Sequence, residues 1–113
     1  MAAGLSQDLG RSAYFTGFNS GSAVYRLDLS TVDANIDLPS GLYYARLMSN
    51  DASVAALVRY GATAAFPANG GTGAGFIVLG AGGDVRFQVT GGTVNTHAIL
   101  SAGTATMYFV KVF

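Results

Sequence analysis

The stretch Thr104-Ala105-Thr106-Met107-Tyr108-Phe109-Val110-Lys111-Val112-Phe113 decides the fold, because almost every side chain in it favours a strand. Alternation puts Thr104, Thr106, Tyr108, Val110 and Val112 on one face. Ala105, Met107, Phe109 and Phe113 fall on the other, interrupted only by Lys111. Neither face is made for water. A strand apolar on both sides lies between two layers, so a second sheet is expected on one side and a neighbouring chain or a further layer on the other.

Working outward, the rest of the chain supplies partners of the same kind. Ala23 to Leu29 alternates with Tyr25, Leu27 and Leu29 on one face, and Val32 to Leu38 alternates with the even positions apolar. The phase slips at Ser30-Thr31, which means either two strands joined by a tight turn or one strand whose bulge carries it into another sheet. Pro39-Ser40-Gly41 turns into a strand from Leu42 to Ser49, and Asn50-Asp51 turns into another over Ser53 to Tyr60. Ala62 to Gly75, rich in Gly, is the one long loop. Phe76 to Leu79 is a short buried strand, Asp84 to Val89 a strand with one wet face, and Asn95 to Ser101 the strand before the last. The similar ends Leu79-Gly80-Ala81-Gly82 and Leu100-Ser101-Ala102-Gly103 are expected to be hairpin turns.

These features predict an all-β chain: a two-sheet antiparallel β-sandwich or small jelly roll of about eight strands. Residues 22–113 form the domain and residues 1–21 an extended N-terminal arm. That arm carries Arg11, Tyr14, Phe15 and Phe18, the candidate partner contacts, since aromatics in a polar tail are poorly solvated. Fully extended it would reach on the order of 70 Å.

A chain of 113 residues is one domain with one core. Half of its residues are hydrophobic and 11% charged, against roughly 25% in an ordinary soluble domain. All six acids are Asp and five of the six bases are Arg. The long solvating side chains are thus almost missing, and those present suit fixed contacts. Zero net charge removes the attraction that nucleic acid or an anionic membrane would exploit, and with it the repulsion that keeps proteins apart. An assembling chain is the expectation. Without cysteine there is neither a disulfide nor a thiolate metal site. No apolar run approaches the roughly 20 residues of a bilayer span, and the first eleven residues lack the pattern of a secretory signal. Synthesis and solubility in a cytoplasm are expected.

No constellation carries chemistry. Asp33-x-Asn35-x-Asp37 begins like a calcium loop, but Leu38 stands where a Gly is required and Tyr44 where a bidentate Glu is, so a solvated strand face is expected. The loop Gly70 to Gly75 lacks the Lys-Ser/Thr of a phosphate cradle. His97 has neither Cys, Glu nor a second His to work with and reads as an ordinary strand histidine. Tyr43, Tyr44 or Tyr60 could stack on sugar, although core or interface packing is the commoner use. The chain is read as no enzyme, with no cofactor and no metal.

The order Pro39-Ser40-Gly41-Leu42-Tyr43, Val58-Arg59-Tyr60-Gly61, a Gly/Ala/Thr loop, Leu79 to Gly82 and a closing Leu100 to Val112 pair resembles the small β-sandwich structural proteins of tailed bacteriophages, among them capsid cement or decoration proteins. The likeness covers about Tyr25 to Phe113. It implies a virion protein made in the host cytoplasm that oligomerises as a homotrimer or homodimer and binds the major capsid protein. A tail or connector position in the virion and a carbohydrate-binding module are the alternatives.

Overall fold

A computed structural model describes residues 23–80 and 83–113. They form eight strands: β1 (Val24–Leu29), β2 (Ala34–Leu38), β3 (Gly41–Met48), β4 (Ala55–Tyr60), β5 (Phe76–Leu79), β6 (Asp84–Val89), β7 (Val94–Leu100) and β8 (Ala105–Lys111). Among the described residues no helix is long and apolar enough to cross a membrane.

The strands make two four-stranded sheets, β1-β8-β3-β6 and β2-β7-β4-β5, antiparallel throughout. Pairing runs from the outside in: first with last, second with seventh, third with sixth, fourth with fifth. This is one long ribbon folded over into a jelly roll. The chain changes sheet at every connection except that between β4 and β5. The phase slip at Ser30-Thr31 is therefore a change of sheet, and the Ser30 hydroxyl accepts the Val32 N–H within the corner. Val32 belongs to that corner and is 71% exposed, so β2 starts two residues later than alternation indicates.

The two expected hairpins are not hairpins. β5 and β7 lie in the second sheet, while β6 and β8, which follow them, lie in the first. Gly and Ser supply the bend in either case; they do not choose the partner strand. Between β6 and β7 the chain turns on Gly91 and Gly92, whose φ values of 81° and 99° are reached without strain only by glycine.

In the first sheet the odd-numbered residues point inward, among them Leu27, Tyr43, Leu47, Phe87, Met107 and Phe109. The second sheet sends in even-numbered ones, among them Leu38, Val58, Val78, Ala98 and Leu100. Small Ala45, Ala56 and Ala98 sit fully buried among large neighbours, the size alternation that interdigitating layers need. An aromatic chain runs through this core. Tyr25 meets Tyr43 edge-on, Tyr43 stacks on Phe87 at 5.5 Å, and Phe87 meets Phe109 edge-on at 5.9 Å and Phe76 at 5.3 Å. These are the geometries a ring quadrupole favours. Burial of its ring raises the Tyr43 hydroxyl above the ordinary tyrosine value, and that hydroxyl donates to the Pro39 carbonyl, tying the β2–β3 turn to the core.

β8 occupies the centre of the first sheet, between β1 and β3. Met107 and Phe109 are fully buried, and Thr106, Tyr108 and Val110 are half-buried on the outer face. Phe113 does not join the core. It lies beyond the end of the strand, 74% exposed, and its carbonyl accepts the Leu42 N–H.

Candidate interaction surfaces

The outer face of the first sheet is ordered in rows by strand register. Val24, Val110 and Tyr44 lie side by side, with Arg86 next on β6. Leu42 and Val112 adjoin them, joined by the Val112 N–H to Leu42 carbonyl bond. The Arg86 guanidinium stands over the Tyr44 ring at 5.4 Å from its centroid, a cation–π contact. The next row is polar: Arg26, Tyr108, Arg46 and Asp84. Here Arg46 and Asp84 pair at 3.5 Å and Arg26 and Asp28 at 3.0 Å, all well exposed, so each contributes little stability. Bonds donated by Arg26 and by the Thr106 hydroxyl hold the Asp28 carboxyl below the usual aspartate range. This face therefore has an apolar end, where β1 begins and β8 finishes, and a charged end. At the charged end two open hollows of about 480 and 290 Å³ flank Thr104 to Thr106; Arg26, Asp28 and Ser30 line the larger, and Met48, Ser49 and Asn50 the smaller.

The outer face of the second sheet is divided differently. Toward β5 it is apolar: Ile77, Leu57 and Ile99 stand in one row, and Leu79 and Ala55 in the next. Leu57 is buried, but Ile77 is 44% and Leu79 60% exposed. Both belong to β5, an edge strand of four residues. Sheet edges present backbone groups for pairing, and apolar side chains beside such an edge mark it for association.

Toward β2 the same face is polar. Asn95 donates to Asn35 at 3.1 Å and to Asp37 at 2.9 Å. Asp33 bonds in two directions: one oxygen accepts the Ala64 N–H at 2.8 Å, and the other meets His97 Nδ1 at 2.8 Å. Asp33 and His97 are both largely shielded, and Ala64 is buried. The Arg59 guanidinium reaches the Thr63 carbonyl at 3.4 Å. The start of the long loop after β4 is thus strapped to this face. Its far end is fixed at Gly75, whose φ is 123° and whose place would bring a β-carbon onto the Val58 carbonyl oxygen.

These positions decide what each sequence candidate can do. Arg11, Tyr14, Phe15 and Phe18 lie outside the described residues. Asp33, Asn35 and Asp37 do not converge on a common point; Asp33 turns to His97 and Ala64, and Asp37 turns to Asn95. The three tyrosines considered for sugar stacking share no platform. Tyr43 is in the core, Tyr44 lies on the outer face beneath Arg86, and Tyr60 is at the β5/β6 rim against Phe76 and Phe87. There, burial pushes the Tyr60 hydroxyl up to about 12. The Asp33–His97 pair and the exposed Ile77/Leu79 edge are features that sequence reasoning missed. Phe76 to Leu79 read as a buried strand, whereas its outward residues are open because β5 ends the sheet. Comparison with family models, with curated proteins and with solved structures gave no match for this chain.

Proposed function

We propose that the chain is a virion structural protein of the cement or decoration type: a jelly-roll sandwich that forms a homotrimer or homodimer and clamps the major capsid protein in the head shell. The observation that carries this reading is the apolar stripe Ile77–Leu57–Ile99 with Leu79 on the β5 edge, on a chain of zero net charge. Full burial of a Leu or Ile side chain is worth about 1.5–3 kcal/mol, so covering the exposed half of Ile77 and of Leu79 contributes about 0.8–1.5 kcal/mol each. Two such residues give a weak contact, and a symmetric shell that repeats it many times gives a strong one through avidity. The resemblance of the motifs Pro39 to Tyr43, Val58 to Gly61 and Leu79 to Gly82 to those of small phage sandwich proteins suggests the virion setting, and double-sheet jelly rolls serve widely as capsid domains.

Immunogold labelling of intact particles from the lysate that yields this protein tests the assignment. Label over the heads is the expected result. Label confined to the tail or neck would move the protein to the tail or connector reading, and particles without label would end both. A carbohydrate-binding module predicts hits on a glycan array; with three tyrosines facing three ways, none is expected.

A further inference from the structure

We infer that the partner at the β5 edge is a second copy of this chain, paired β5 to β5 across a two-fold axis so that the two β2-β7-β4-β5 sheets become one continuous antiparallel sheet. This pairing rests on the association proposed above and gives it a geometry. A two-fold contact of this kind makes a dimer, not a trimer.

Backbone direction comes first. The Gly80 N–H donates to the Val54 carbonyl at 3.0 Å, so along the β4–β5 register the hydrogen-bonded pairs are Val54–Gly80, Ala56–Val78 and Val58–Phe76. Ala55, between them, turns to β7 instead: its carbonyl accepts the Ser101 N–H and its N–H donates to the Ser101 hydroxyl. The N–H and carbonyl groups of Ile77 and Leu79 therefore point away from β4, to the side where no strand among the described residues pairs with β5. Gly83 lies beside the Leu79 carbonyl oxygen, where a β-carbon would come to 2.8 Å, so glycine keeps the approach to that oxygen open.

Charge selects the occupant. The two sheets end in β1 and β6 and in β2 and β5. β1 carries Arg26 and Asp28, β6 carries Asp84 and Arg86, and β2 carries Asp37, the kind of side chain that guards an edge against pairing. β5 carries none, and residues 60–83 contain no charged side chain at all. Setting any of the guarded edges beside Ile77 and Leu79 brings a charge onto an apolar row, whereas a second β5 brings another apolar row.

The edge is also complementary to itself. With Val78 on the axis, Ile77 of each copy faces Leu79 of the other, and each facing pair exchanges two N–H to carbonyl bonds. Every outward group of Ile77 and Leu79 is then used. Their side chains lie on the outer face, so the Ile77–Leu57–Ile99 stripes of the two copies join into one apolar band. Val78 is fully buried in its own core and needs no partner.

Amide exchange in the full chain, read beside the mass from light scattering, tests the pairing. In dilute solution the Ile77 and Leu79 amides should exchange freely while those of Phe76 and Val78, bonded to β4, are protected. As concentration raises the mass, Ile77 and Leu79 should become protected as well. Leu79→Pro removes an outward donor, keeps an apolar side chain and spares the β4 ladder, so it should hold the protein at the mass of one chain with the rest of the amide spectrum folded. A mass that rises while both amides stay open, or association that survives Leu79→Pro, overturns the two-fold pairing and leaves association through the apolar stripe standing. The mass of one chain at every concentration overturns both. Should Leu79→Pro unfold, cross-linking decides. The chain has no cysteine, and the pairing puts positions 77 and 79 of opposite copies about 5.5 Å apart at their α-carbons, within disulfide reach. An oxidised mixture of Ile77→Cys and Leu79→Cys chains should therefore cross-link faster than either variant alone, and equal rates refute the proposal.

Discussion

Replacing Phe109 by Ala tests how far the sandwich rests on the inner side of β8. Phe109 is fully buried and is held between Tyr25 on β1 and Ala45 on β3, with its ring edge-on to Phe87. Truncating a buried Phe to Ala costs about 3–5 kcal/mol, the transfer loss and the residual cavity together. The ring pair with Phe87 accounts for about 0.5–1.5 kcal/mol beyond area burial, so the upper half of the range, about 4–5 kcal/mol, is expected. A domain of this length is stable by about 5–13 kcal/mol in all, so the variant loses a large share of its stability. With a urea slope of about 1.5 kcal/mol per molar, the midpoint falls by about 3 M. Tyr108→Ala is the matched control, one residue away and half-buried on the outer face between Arg26 and Arg46. It should cost about 1 kcal/mol. Urea denaturation followed by tyrosine fluorescence gives both values. If Phe109→Ala cost less than Tyr108→Ala, the layer assignment of β8 would be wrong.

Gly75→Ala meets both a positive φ and the Val58 carbonyl, so it should lower stability by more than about 1 kcal/mol in thermal unfolding, whereas Gly70→Ala, which meets a positive φ but open space, should cost less. His97→Ala leaves one Asp33 oxygen without its partner and should speed hydrogen exchange at the Ala64 amide more than at the amides of β8. Tyr60 is the alkaline counterpart. Its hydroxyl is pushed up to about 12 against about 10 when unfolded, so its stabilising effect is complete below pH about 10 and is lost as pH rises toward 12. Ultraviolet titration should show late tyrosines, Tyr43 among them, and Tyr60→Phe should remove the one near 12. Asp28 works in the opposite direction: its carboxyl is held low, so its contribution is present above the ordinary aspartate range and disappears as pH falls through its own lowered midpoint, which carboxyl chemical shifts report.

Much of the fold was legible because burial follows alternation. Tyr43, Leu47, Met107 and Phe109 announce their side through their spacing, and every strand appears within two residues of where alternation puts it. Which strand pairs with which was not legible. A short turn shifts the alternation in the same way whether the chain doubles back into a hairpin or crosses to the other sheet, so Leu79 to Gly82 and Leu100 to Gly103 looked like hairpins. The Asp33–His97 pair was hidden for a related reason. The two residues are 64 positions apart, and only the β2–β7 register brings them together. Ala64 is buried in a Gly/Ala/Thr loop with no periodicity to mark it. The exposed Ile77/Leu79 edge depends on β5 ending its sheet, a property of the whole topology that the four residues Phe76–Leu79 do not carry.

The mass of the protein in solution reports on the proposed association through the β5 edge. Light scattering at rising concentration should show the mass climbing from the 11.5 kDa of one chain toward two or three times that value, as a weak contact does, and staying near the monomer in Leu79→Lys and Ile77→Asp, substitutions at exposed positions. A mass of 11.5 kDa at every concentration, or an oligomer indifferent to both substitutions, would contradict it.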